Sequence, residues 1–75
     1  MTIEILGDGC PKCRGLEKNT RQAVADAGVE AEILVVNDPS RIAHFQLLTL
    51  PGLVIDGELK SRGRLLSAEE IRRYF

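Results

Sequence analysis

Ile3-Glu4-Ile5-Leu6-Gly7-Asp8-Gly9-Cys10-Pro11-Lys12-Cys13 is the stretch that decides the fold. An apolar run with strand alternation, a Gly-Asp-Gly break, a Cys-x-x-Cys and then a segment of helical periodicity stand in direct succession. In that order the sulfur of Cys10 lies at the entrance of a helix. Unpaired backbone N–H groups and the positive end of the helix dipole favour a thiolate there. A thiolate is the species that attacks disulfides. Lys12 adds a positive charge within the same four residues, and Pro11 suits the first helical turn, where its missing N–H costs nothing.

Working outward, Thr2 to Leu6 reads as the first strand, with Ile3 and Ile5 on one face. Leu16, Thr20, Ala23, Val24 and Ala27 recur at i, i+4, i+7, i+8 and i+11, the apolar side of a helix spanning Pro11 to Ala27. Glu17 and Arg21 are spaced to pair on its outer side, and Gly28 suits a left-handed stop. Ile33-Leu34-Val35-Val36 is an uninterrupted apolar run rich in β-branched residues, which predicts a strand covered on both faces and parallel to the first. Asp38-Pro39 opens a short second helix, with Asp38 as N-cap and Ile42 and Phe45 facing inward. Leu53-Val54-Ile55 is a third strand, Asp56-Gly57 a two-residue hairpin, and Leu59 to Arg62 the antiparallel return. Ser67 and Glu70 form a capping box, flanked by Leu66 and Ile71 as a hydrophobic staple. A third helix from Ala68 to the C-terminus follows, with Ile71, Tyr74 and Phe75 expected to pack inward.

Composition narrows the functional classes. The 75 residues are 44% hydrophobic and 28% charged, with seven Gly and three Pro, an ordinary globular composition expected to form one domain over residues 1–75. A formal net charge of −1 gives no electrostatic basis for binding nucleic acid or an anionic membrane. Glu4 interrupts the first apolar stretch, so no secretory leader is read and a cytoplasmic protein is expected. No stretch approaches the roughly 20 apolar residues of a membrane span. Two cysteines this close cannot staple a scaffold, because closing so short a loop constrains little of the unfolded chain. The pair therefore serves reactivity or a metal. For the metal reading, Zn(II) in a closed site wants four ligands and this chain offers two thiolates and one distant histidine, His44, so two copies would have to share four thiolates. His44 reads as an exposed residue of the second helix, and Arg72-Arg73 as charge complementing the dipole of the last. Leu47-Leu48-Thr49-Leu50 is either core or an apolar rim beside the cysteines.

The order β-α-β-α-β-β-α, the Gly-x-Gly-Cys-Pro-x-Cys start, Thr49-Leu50-Pro51, Leu53-Val54-Ile55-Asp56-Gly57 and Ser67-Ala68-Glu69-Glu70-Ile71 together resemble the small redox-active disulfide proteins of the thioredoxin and glutaredoxin superfamily. The resemblance implies an α/β minimal thioredoxin fold, a four-stranded mixed sheet flanked by three helices. It implies a thiol–disulfide oxidoreductase that needs no bound cofactor and draws electrons from a partner thiol or reductase to act on protein disulfides as a monomer. Cys10 is then the nucleophile and Cys13 the resolving thiol, with Pro11 and Lys12 supporting them. The resemblance also implies that Pro51 has a cis peptide bond and lies against the pair, so that Leu50 offers backbone groups to an extended substrate. The likeness stops short at several positions. Gly9 replaces the aromatic that thioredoxins keep before the first cysteine, and Lys12 the one that glutaredoxins keep between the two. Gly63-Arg64 followed by Ser67 stands where glutaredoxins hold glutathione with Gly-Gly and Asp, which leaves glutathione a doubtful partner. Glu4, six residues before Cys10, occupies the place of the buried Asp of thioredoxins; alternation alone does not decide which way it points. A metal-binding or metal-delivery module using the same pair is the alternative.

Overall fold

Alternation in the first strand divides the protein into two cores. The computed structural model describes residues 1–75, in which β1 (Thr2–Leu6), α1 (Pro11–Ala27), β2 (Glu32–Val36), α2 (Pro39–His44), β3 (Gly52–Ile55), β4 (Glu58–Arg62) and α3 (Ala68–Arg72) follow in order. The sheet order is β2-β1-β3-β4. β1 runs parallel to β2 and antiparallel to β3, and β3 antiparallel to β4, so this is the mixed sheet of the expected α/β thioredoxin-type fold.

Ile3 and Ile5 point to one face and meet Leu16 and Ala23 of α1, Leu53 and Ile55 of β3, and Leu66 and Ile71 at the start of α3. Each fully buried Leu or Ile contributes roughly 1.5–3 kcal/mol relative to exposure, so this face anchors the fold. The other face carries Leu6 and Val54, which pack with Leu47 beneath α2 and with the half-buried Ile42, Phe45, Leu50 and Leu59. Thr20 is buried in the apolar side of α1, and its hydroxyl donates to the Leu16 carbonyl at 2.7 Å. That bond satisfies a polar group which burial would otherwise penalise.

Local signals account for the element ends. α1 stops at Gly28, which has φ 65°, and whose N–H donates to the Val24 and Ala25 carbonyls. Asp38 caps α2 by accepting from the Ser40 amide at 2.9 Å. Ser67 and Glu70 form the full capping box, each side chain accepting from the other's backbone N–H.

Two sequence expectations are corrected. β2 is not covered on both faces: it is an edge strand, with Leu34 and Val35 40% and 50% exposed. α3 ends at Arg72, so Tyr74 lies in a turn and is largely exposed, while Phe75 packs against the core as expected. The Leu47–Leu50 run is divided: Leu47 is core, Leu50 is half-buried against it, and Leu48 is 98% exposed. β4 carries one extra residue opposite β3, Lys60, lying between the Leu53–Ser61 and Val54–Leu59 pairs.

Candidate active site

The break after β1 turns the chain from the sheet into α1 and sets Cys10 at the N-cap of that helix. Cys10 is extended, with φ −64° and ψ 163°, and its sulfur accepts from the Cys13 amide at 3.3 Å. The amide of Lys12 makes no such bond. Pro11 occupies the first helical position, and both it and Lys12 are exposed. Cys13, one turn in, faces the apolar side of α1 with Leu16 and Thr20 and is 3% exposed, whereas Cys10 stays half-buried at the surface. The two form a disulfide with Cα atoms 5.1 Å apart.

Gly7 and Pro51 close the site from the sheet side. A Cβ built on Gly7 would overlap the sulfur of Cys13, stand 3.0 Å from the Cys13 Cβ, and touch the Pro51 Cβ at 3.9 Å. Gly7, Cys13 and Pro51 therefore meet at one point. Pro51 is buried, the Leu50–Pro51 peptide bond is cis, and the Pro51 carbonyl accepts from the Gly63 amide at 2.7 Å, which ties the loop after β4 to the proline loop. The sequence contains Gly7 but gives no sign of this contact, because the space it leaves is defined only once α1 folds back over β1.

Glu4 points away from the pair, to the α2 face of the sheet. Its two carboxylate oxygens accept from Arg41 Nη2 at 2.8 and 2.7 Å, with the Glu4 side chain only 13% exposed. Arg41 also stacks over Phe45, 5.4 Å from the ring centroid. His44 is exposed and packs edge-on against the same ring. Neither joins the cysteines. Asp8, which sequence reasoning passed over, does: its carboxylate and the two sulfurs lie within 4.8 Å of one another. These are three donors, one fewer than a closed zinc site takes, and in the disulfide neither sulfur is a thiolate.

A cysteine pair at a helix N-terminus, the outer residue half-buried at the surface and the inner one buried near Gly7 and a buried proline, defines a small thiol–disulfide oxidoreductase. The family described as "Thioredoxin domain" matches residues 1–75. A thioredoxin of Methanothermobacter thermautotrophicus is 47% identical over 73 residues, covering 97% of this chain and 95% of that protein. A thioredoxin of Methanocaldococcus jannaschii is 39% identical over 72 residues, 96% of this chain and 83% of its own length. The chain belongs to the thioredoxin family. No helix in it is long and apolar enough to cross a membrane.

Proposed function

We propose that the protein reduces disulfides of protein substrates by a two-step exchange in which Cys10 attacks and Cys13 resolves. The Cys10 thiolate attacks one sulfur of the substrate disulfide, forms a mixed disulfide and expels the other substrate sulfur as a thiolate. Cys13, losing its proton, then attacks the Cys10 sulfur, breaks the mixed disulfide and releases the second substrate thiolate. The substrate gains two electrons, and the protein is left with the Cys10–Cys13 bond. A thiol or reductase partner returns the two electrons.

The asymmetry of the pair carries this assignment of roles. Cys10 is half-buried at the surface and its sulfur already accepts an amide hydrogen bond, a setting that favours the charged form, whereas Cys13 is 3% exposed and reaches only what is bound at Cys10. Lys12 adds positive charge beside the nucleophile. Leu50, half-buried next to Pro51, offers its backbone to an extended substrate segment, and the 98% exposed Leu48 extends that rim. The protein works as a single domain, a monomer in the cytoplasm, with no bound cofactor. Its lack of the glutaredoxin-type glutathione residues favours protein disulfides over glutathione as substrate.

Paired serine variants test the assignment. Cys10→Ser should abolish attack on a disulfide-bonded protein such as insulin, while Cys13→Ser should accumulate a mixed disulfide on Cys10, visible by mass and released by dithiothreitol. Accumulation on Cys13 in the Cys10→Ser variant would reverse the roles. Equal binding of Zn(II) by the reduced protein, lost in both variants with no adduct trapped, would support the metal-binding alternative.

A further inference from the structure

Asp8 stands beside the redox pair without an ion-pair partner. Its carboxylate lies within 4.8 Å of both sulfurs and takes part in none of the protein's ion pairs, which join Arg21 to Glu17, Arg41 to Glu4, Lys60 to Glu58, Arg64 to Glu70 and Arg73 to Glu69. The remaining charges around the pair are few. The first turn of α1 contributes Lys12 and Arg14, both exposed; the proline loop, residues 46–52, has no titratable side chain; the loop after β4 contributes Arg64, already paired with Glu70. Glu4 on β1 is held by Arg41 on the opposite face of the sheet.

We propose that Asp8 biases the cysteine couple toward giving up electrons, acting as a charge-positioning residue that opposes the thiolate. The inference rests on the redox reading of the pair given above. Reduction of the disulfide takes two electrons and, above the pH at which Cys10 titrates, one proton, leaving a thiolate on Cys10 and a thiol on Cys13. The disulfide is neutral and indifferent to a neighbouring carboxylate, but the thiolate is not. Two negative charges at this separation, in surroundings close to bulk water, repel enough to shift the equilibrium roughly three- to tenfold against the reduced form. Asp8 thus offsets part of the stabilisation that the Cys13 amide and the helix N-terminus provide. The result is a stronger reductant with a less acidic nucleophile.

The test compares Asp8→Asn and Asp8→Glu with the unmodified protein, each equilibrated with glutathione and glutathione disulfide at several pH values and read by alkylation and intact mass. Asp8→Asn should be reduced roughly three- to tenfold more readily at pH above the Cys10 titration, equivalent to a potential about 15–30 mV less negative. Its Cys10 thiol should also titrate at lower pH, while Asp8→Glu keeps the original values. Below the thiol titration both reduced forms are neutral dithiols, and the Asn variant and the unmodified protein should converge. A difference of the same size at every pH would mean that Asp8 acts by packing and overturn the proposal, as would no difference or one of opposite sign. If the unmodified protein itself shows no two-thiol transition, it is the redox reading that fails.

Discussion

Replacing Gly7 by Ala drives one methyl group into the sulfur of Cys13, well inside van der Waals contact. Neither side has an easy retreat. The Gly7 amide donates to the Val36 carbonyl at 3.0 Å and so holds the turn to β2, while Cys13 belongs to the first turn of α1 and is packed to 3% exposure. Forcing one methyl into a filled site costs about 1–3 kcal/mol. In a domain of this size each kcal/mol corresponds to about 4–8 °C of melting temperature, so the oxidised variant should melt roughly 5–20 °C lower than the unmodified protein. The penalty depends on redox state. In the disulfide the Cys13 sulfur is tethered to Cys10 and cannot leave the overlap, whereas in the dithiol it can rotate to another staggered position. The reduced variant should therefore lose less stability, and by the thermodynamic cycle its disulfide should be easier to reduce. Calorimetric melting of both redox forms of both proteins decides the matter. An oxidised Gly7→Ala protein melting within about 2 °C of the original, or equal losses in the two redox forms, would refute the argument that this glycine makes room for the Cys13 sulfur.

Two further predictions concern other parts of the fold. The carboxyl of Glu70 is held below the ordinary Glu range, chiefly by the Ser67 backbone N–H and then by the Ser67 side chain, against an opposing effect of desolvation and with lesser help from Arg64 and Arg73. Because the folded value lies below the unfolded one, its contribution is present above the ordinary carboxyl range of about 4.3 and is lost as pH falls through the folded value. Ser67→Ala should lower stability by about 1 kcal/mol at neutral pH, while Glu70→Gln, which removes the titrating carboxyl, should flatten the acid limb of a stability-against-pH curve measured by urea unfolding; an unchanged limb in Glu70→Gln would show that the capping box does not hold the Glu70 carboxylate. Glu4→Gln should leave the rates of both exchange steps within about twofold, since the carboxylate serves Arg41, whereas Arg41→Ala should cost about 1–3 kcal/mol by stranding a largely buried carboxylate. A tenfold slowing of the Cys13 step in stopped-flow with Glu4→Gln would instead assign Glu4 a part in proton transfer to or from Cys13.

Sequence reading succeeded where the signal was local. The Gly-Asp-Gly break, the N-cap at Cys10, the αL stop at Gly28, the Asp38-Pro39 start and the Ser67–Glu70 box each depend on groups a few residues apart, and the structure places every one where the chain implies it. It failed where the deciding neighbour is remote. An apolar run such as Ile33–Val36 states that a strand is hydrophobic, not that it lies at the edge of a sheet with no strand beyond it. The direction of Glu4 depends on Arg41, 37 residues away, and the fate of Leu47 and Leu48 on which of them meets Leu6 and Val54. Gly7 and Asp8 look like ordinary turn residues in a string. Their relation to Cys13 emerges only when α1 returns over β1 and brings the sulfur into the space beside them.

The central claim is that Cys10 and Cys13 form one two-electron couple within a single chain, and equilibrium with a graded series of thiol and disulfide buffers tests it most directly. Free thiols are trapped by alkylation at each point and counted by intact mass. The account predicts a single transition from no labelled thiol to two, in a metal-free monomer, with no singly labelled species accumulating. Thiols that oxidise only as disulfide-linked dimers, or that remain shielded from alkylation until a chelator is added, would contradict it.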